Sequence, residues 1–70
     1  MSKTQQHILA YLRSYHAKHG FMPTYREIGD ACGLTSPASV SYQLQQLAAK
    51  HHIRIYQGKQ RAITLLGDNA

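Results

Sequence analysis

The side chains best suited to recognition chemistry lie after Pro37. At helical spacing, Ala38, Tyr42, Gln45, Gln46 and Ala49 share one face, flanked by Ser39 and Ser41. Hydroxyls and side-chain amides both donate and accept hydrogen bonds. No charge interrupts this face until Lys50. A solvated surface helix usually carries Glu and Lys pairs instead. A neutral face of short polar groups suits close approach to another polar surface. Gln45 and Gln46 have the donor–acceptor pair that matches an adenine edge. They lie further along the helix, so phosphate contact or plain solvation suits them equally.

The second set of chemical groups is cationic. Lys plus Arg is 8 against 3 for Asp plus Glu, a net charge of +5 on 70 residues. That bias points to a polyanionic partner, nucleic acid first and an anionic membrane second. The plainer alternative is a basic, soluble surface. Lys59 and Arg61 fall in a turn near the C-terminus, where they can reach a phosphate backbone or a minor groove. Arg54 is a weaker candidate for the same role. Arg26 suits either a phosphate or a surface pair with Asp30, four residues on.

Other chemistries find little support. His16 and His19 are three apart and His51 and His52 adjacent, but neither set has a nearby carboxylate or thiolate to complete a metal site. In mild acid the five histidines would add positive charge and favour a polyanion. Cys32 is the one cysteine, so an internal disulfide is excluded and a small buried side chain is expected. Asp30 and Asp68 have no partners placed for a Ser/His/Asp set. A catalytic cleft is hard to build from so little chain, so neither an enzyme nor a cofactor nor a small-molecule substrate is expected. No apolar run approaches the ~20 residues that span a bilayer. The first residues lack the apolar stretch of a signal peptide. A cytoplasmic protein without a membrane role is the expectation.

The elements that must position these groups are legible in the pattern. Ile8, Leu9, Leu12 and Tyr15 recur at helical spacing and predict a first helix from about Lys3 to His19. Ser2 and Gln5 match a capping box at its start, and Gly20 is placed to end it. After the Phe21-Met22-Pro23 connector, Thr24 and Glu27 form a second capping-box pattern. Ile28, Ala31 and Cys32 then share a face, and Gly33 stops this short helix. Ser36 as cap and Pro37 at the first position open a third helix, with Val40, Leu44, Leu47 and Ala48 as its buried stripe. It should run to about Lys50 or His51. The period then changes to two: Ile53, Ile55, Ile63 and Leu65 alternate with Arg54, Tyr56, Ala62 and Thr64. Gln57-Gly58-Lys59-Gln60 reads as the turn of a hairpin.

The second helix, short turn and third helix make a helix-turn-helix candidate, and the basic hairpin makes it a winged one. The expected fold is mainly α with a small β-hairpin, one winged helix-turn-helix domain over residues 1–66. Residues 67–70 are expected to form a flexible C-terminal tail.

The motifs point further. Thr24-Tyr25-Arg26-Glu27-Ile28-Gly29, Gly33-Leu34-Thr35-Ser36-Pro37 and Ser39-Val40 with Leu44 and Leu47 resemble the N-terminal DNA-binding domain of the LexA family of SOS-response repressors. Gln5-Gln6, Ile8-Leu9, Leu12, the Gly20 to Thr24 connector and Arg61-Ala62-Ile63-Thr64-Leu65-Leu66 are similar as well. The resemblance spans roughly Ser2 to Leu66. It implies a bacterial or phage transcriptional repressor that binds operator DNA as a dimer. It implies base contacts at Ser36, Ala38, Ser39, Ser41 and Tyr42. Ser36 is first a helix cap, so its backbone amide meeting a phosphate is the better expectation. The family usually continues into a linker and a Ser/Lys self-cleaving peptidase domain, which also dimerises it. These 70 residues contain no such domain, so an isolated domain and a short stand-alone regulator are both compatible. His51-His52 stands where the family has a Lys-Gly-like turn, and a different shape is expected there.

Two functions follow. One is sequence-specific binding of double-stranded DNA, a palindromic operator above all, by weakly dimerising copies. The other is a protein-interaction module that modulates a full-length repressor or another DNA-bound partner.

Overall fold

Each helix begins where a hydroxyl can replace a missing backbone partner. The computed structural model describes residues 2–56 and 63–66. Its helices are α1 (Lys3–His19), α2 (Tyr25–Cys32) and α3 (Pro37–Ala49). Ser2 accepts the Gln5 amide at 3.2 Å, Thr24 the Glu27 amide at 3.2 Å, and Ser36 the Ala38 amide at 3.1 Å. The box at α2 is complete, because the Glu27 carboxylate takes the Thr24 amide at 2.7 Å. The box expected at α1 is only half made. Gln5 does not turn back to Ser2; its side chain is buried and bonds to Gln43 and Lys50.

Helix ends follow the same local logic. Gly20 (φ 81°) and Gly33 (φ 73°) take left-handed conformations and close α1 and α2. At α3 the same closure is made without glycine. The His52 amide donates to the Leu47 carbonyl and the His51 amide to that of Ala48, both at 3.0 Å. This is a Schellman motif, and it requires His51 to sit at φ 65°. The helix ends at Ala49 and Lys50 caps it.

Two short strands follow, β1 (Ile53–Ile55) and β2 (Ile63–Leu65). They pair antiparallel with Ile53 opposite Leu65, Arg54 opposite Thr64 and Ile55 opposite Ile63. The alternation puts Ile53 and Ile63 in the core and leaves Arg54 and Thr64 exposed. The expected turn at Gln57–Gln60, with Lys59 and Arg61, and the expected tail at 67–70 lie outside the described residues.

One core serves all five elements. Ile8, Leu9 and Leu12 of α1 meet Ile28 of α2, Val40, Leu44 and Leu47 of α3, and Ile53 and Ile63 of the ribbon. Met22 from the connector completes it. Cys32 and Tyr11 pack at its edge, half-buried. Ala31 does not join Ile28 inside; it is exposed. A methyl group gains little from burial, so its facing is weakly constrained. Mainly helical, with a helix-turn-helix and a two-stranded ribbon, the architecture is that of a winged helix-turn-helix. Among the described residues, no helix is long and apolar enough to cross a membrane.

The left-handed residue at the end of α3 yields a direct test. A side chain at φ 65° costs about 1 kcal/mol that glycine avoids. His51→Gly should therefore raise the melting temperature by about 4–8 °C for a domain of this size. A thermal melt checks it, and an unchanged or lower midpoint would contradict the strain assigned to His51.

Candidate nucleic-acid interface

The face of α3 turned away from the core carries the sequence-derived candidates. Ala38, Ser39, Tyr42 and Gln45 are exposed, and Tyr42 keeps 59% of its surface open. Ser41 is only half-buried at the margin, because it lies beside Val40 and one turn before the buried Leu44. Gln45 Nε2 donates to Ser41 Oγ at 3.3 Å. That bond fixes Gln45 across the face and leaves the Ser41 O–H as a donor. Ser36 is half-buried and its hydroxyl is committed to capping. Gln46 is half-buried.

The flanking cations divide in two. Arg26 is exposed at the start of α2 and lines an open hollow of about 580 Å³ between α2 and the beginning of α3. Asp30 lines the same hollow, so the acid and the base share one rim. Arg54 is exposed on the outer face of the ribbon. Lys59 and Arg61 are outside the described residues. From Ala31 to Gly67 the sequence has no Asp or Glu, so no carboxylate of α3 or the ribbon would oppose a phosphate.

Sequence reasoning missed two features. On the ribbon, Tyr56 follows Arg54 on the exposed side, and hydrogen bonds from Thr64 and then Arg54 hold its phenol below the ordinary value. Two-residue periodicity already sets Arg54, Tyr56 and Thr64 on the face opposite the isoleucines; the hydrogen bonds among their side chains are what it does not show. The other is Gln5, which lies on the same stripe as Ile8, Leu9 and Leu12. Its Nε2 donates to Gln43 Oε1 at 3.1 Å, and its Oε1 accepts from Lys50 Nζ at 2.9 Å.

Several of the remaining reactive residues are tied into the structure. His19 packs against Tyr15 with ring centroids 4.2 Å apart and planes tilted by 42°, and Phe21 meets Tyr15 edge-on at 5.8 Å. Tyr15 Oη lies 3.4 Å from the Glu27 carboxylate, which ties α1 to the start of α2. Burial pushes the Cys32 thiol up, away from the reactive thiolate. Among the described residues no three His, Cys, Asp or Glu side chains gather as metal ligands would.

The family model of the LexA DNA binding domain matches residues 1–62. The chain belongs to that family. The LexA repressor of Bifidobacterium adolescentis is 44% identical over 69 residues, covering 99% of this chain and 27% of that protein. The LexA repressor of Bacillus mycoides is 42% identical over 69 residues, 99% of this chain and 34% of its own length. That of Shouchella clausii is 44% identical over 66 residues, 94% of this chain and 32% of its own. The chain thus spans about a third or less of these relatives. The matched family domain takes in all three helices and the sequence through Lys59 and Arg61.

Whether Ser36 serves DNA as well as its cap can be tested. Asp caps a helix as well as Ser, while Ala loses about 1 kcal/mol. Ser36→Asp should keep the wild-type melting temperature yet weaken binding to duplex DNA, because it sets a negative charge at the start of α3. Ser36→Ala should lower the melting temperature instead. Paired melts and DNA titrations separate the two effects.

Proposed function

We propose that the chain is the DNA-reading unit of a transcriptional repressor. The outer face of α3 enters the major groove, with Ala38, Ser39, Ser41, Tyr42 and Gln45 toward base edges. Ser36 meets a phosphate through the start of the helix, where unpaired amides and the helix dipole favour an anion. Arg26, Arg54, Lys59 and Arg61 reach the backbone or the adjacent minor groove. The chain acts by binding rather than catalysis, in the cytoplasm.

The observation that carries this reading is the contrast across α3. Val40, Leu44 and Leu47 are buried, while the opposite face is exposed, neutral and built from short polar groups around one open tyrosine. The major groove of B-DNA is about 12 Å wide and admits one helix. Small residues at Ala38 and Ser39 permit the backbone to come close. The size also suits a pair of copies on a palindrome. The domain extends 31 × 25 × 23 Å, and half-sites one helical turn apart lie about 34–36 Å centre to centre. Two copies fit side by side with little shared surface, which supports weak dimerisation on DNA.

Selection from a random duplex pool tests the reading, followed by titration of the selected site at several salt concentrations. Tyr42→Ala should relax preference at one base position, at a cost of about 1–3 kcal/mol. Lys59→Ala and Arg61→Ala should each shallow the log–log salt slope by about 0.9 without changing the preferred sequence. Absence of any duplex binding at low salt would overturn the proposal and favour a protein partner.

A further inference from the structure

We infer that Gln5 and Lys50 are positioning residues for DNA reading: together with Gln43 they clasp α3 to α1 and set which part of its outer face meets the bases. The inference rests on the DNA-binding reading above and assigns a role to residues outside the contact surface.

Gln5 is the buried polar side chain among the described residues, with 7% of its surface exposed. An amide buried without partners costs about 1–3 kcal/mol, so both of its ends must be satisfied. They are satisfied by one helix. Its Nε2–H meets Gln43 in the middle of α3, and its oxygen meets Lys50 at the C-cap. Residues 43 and 50 are seven apart, so they stand on the same side of α3, about 10 Å apart along its axis. This two-point attachment does what the apolar stripe cannot. Val40, Leu44 and Leu47 hold α3 against the core, but hydrophobic contact is non-directional and tolerates small rotations. Hydrogen bonds at both ends of the clasp are directional.

The consequence falls on the recognition face. Gln43 directly follows Tyr42 in the chain. A rotation of α3 by about 10° moves a side-chain atom about 6 Å from the axis by about 1 Å. A base-edge hydrogen bond, confined to heavy-atom distances of about 2.7–3.2 Å, does not survive that displacement. Affinity drawn from phosphates is less sensitive, since charge attraction falls off slowly with distance. Loss of the clasp should therefore reduce discrimination and spare non-specific binding.

The test uses the 70-residue chain with its selected duplex and a scrambled duplex of equal length, at four salt concentrations. Gln5→Met removes both bonds at similar volume. Gln5→Glu keeps an acceptor for Lys50 and, with the Gln43 amide reversed, for that residue as well. Lys50→Met removes one arm. Circular dichroism confirms that each variant is folded. Gln5→Met and Lys50→Met should each lower the specific-to-scrambled affinity ratio about tenfold, with an unchanged salt slope on scrambled DNA. Gln5→Glu should restore the ratio to within about threefold of wild type. A slope about 0.9 shallower for Lys50→Met would make Lys50 a phosphate contact and overturn the inference. So would equal losses on both duplexes, or a wild-type ratio for Gln5→Met. Wild-type protein that binds neither duplex would overturn the DNA-binding reading, and the inference with it.

Discussion

A helix that must present one face to a partner has to be held entirely by the other. In the DNA-reading role proposed for this chain that constraint falls on α3, whose Val40, Leu44 and Leu47 are the inward residues and are nearly or fully buried. Everything else converges on that stripe. Ile8 and Leu12 reach it from α1, Ile28 from α2 and Ile53 from β1. Each fully buried aliphatic side chain contributes about 1.5–3 kcal/mol. With so few such residues, no element can be spared. The two-stranded ribbon, marginal alone, is stable because its Ile53 and Ile63 face the same core.

Holding α3 from one side also fixes how near α2 must lie. A Cβ on Gly29 would stand 2.9 Å from the Leu34 carbonyl oxygen and 3.2 Å from Val40 Cγ2. The first contact is with backbone and cannot be relieved by a side-chain rotation. Gly29 therefore sets the closeness of the turn between the two helices. The Leu34 amide, bonded to the Gly29 carbonyl at 2.9 Å, pins the same turn from the other direction. At the far end of α2, Glu27 serves both the Thr24 cap and the contact with Tyr15. One carboxylate thereby links the start of α2 to α1.

What the sequence revealed and what it hid divide along the range of the interactions. The Thr24–Glu27 box, the Ser36 cap and the ends at Gly20 and Gly33 depend on groups within a few residues, and each was legible. The inward stripe of α3 and the alternation of the ribbon were legible because burial imposes a period. The exposed face of α3 followed by subtraction. Gln5 was misread for the opposite reason. Its local pattern matched a capping box, but Gln43 and Lys50, 38 and 45 residues away, hold the side chain. No local rule weighs a reach back to Ser2 against burial beside α3. His51 shows the same limit in reverse. The Schellman closure imposes a positive φ there on a residue type that does not announce it.

The distribution of charge gives the surface its division of labour. Five excess positive charges on 70 residues could have been scattered. Instead the outer face of α3 is uncharged, and the sequence from Ala31 to Gly67 carries Lys50, Arg54, Lys59 and Arg61 with no acid. Charges attract at long range and with little regard to sequence, and salt screens them. Hydroxyls and amides act only within hydrogen-bond distance, where a wrong partner leaves a desolvated donor or acceptor unpaired. A lysine at position 42 or 45 would add attraction to any phosphate within its reach, whatever the sequence. In the proposed DNA-reading role, keeping those positions neutral leaves the fit to the bases, and hence the rotation of α3, to supply discrimination. The buried Gln5 amide, costly unless both ends are paired, is the side chain best placed to define that rotation.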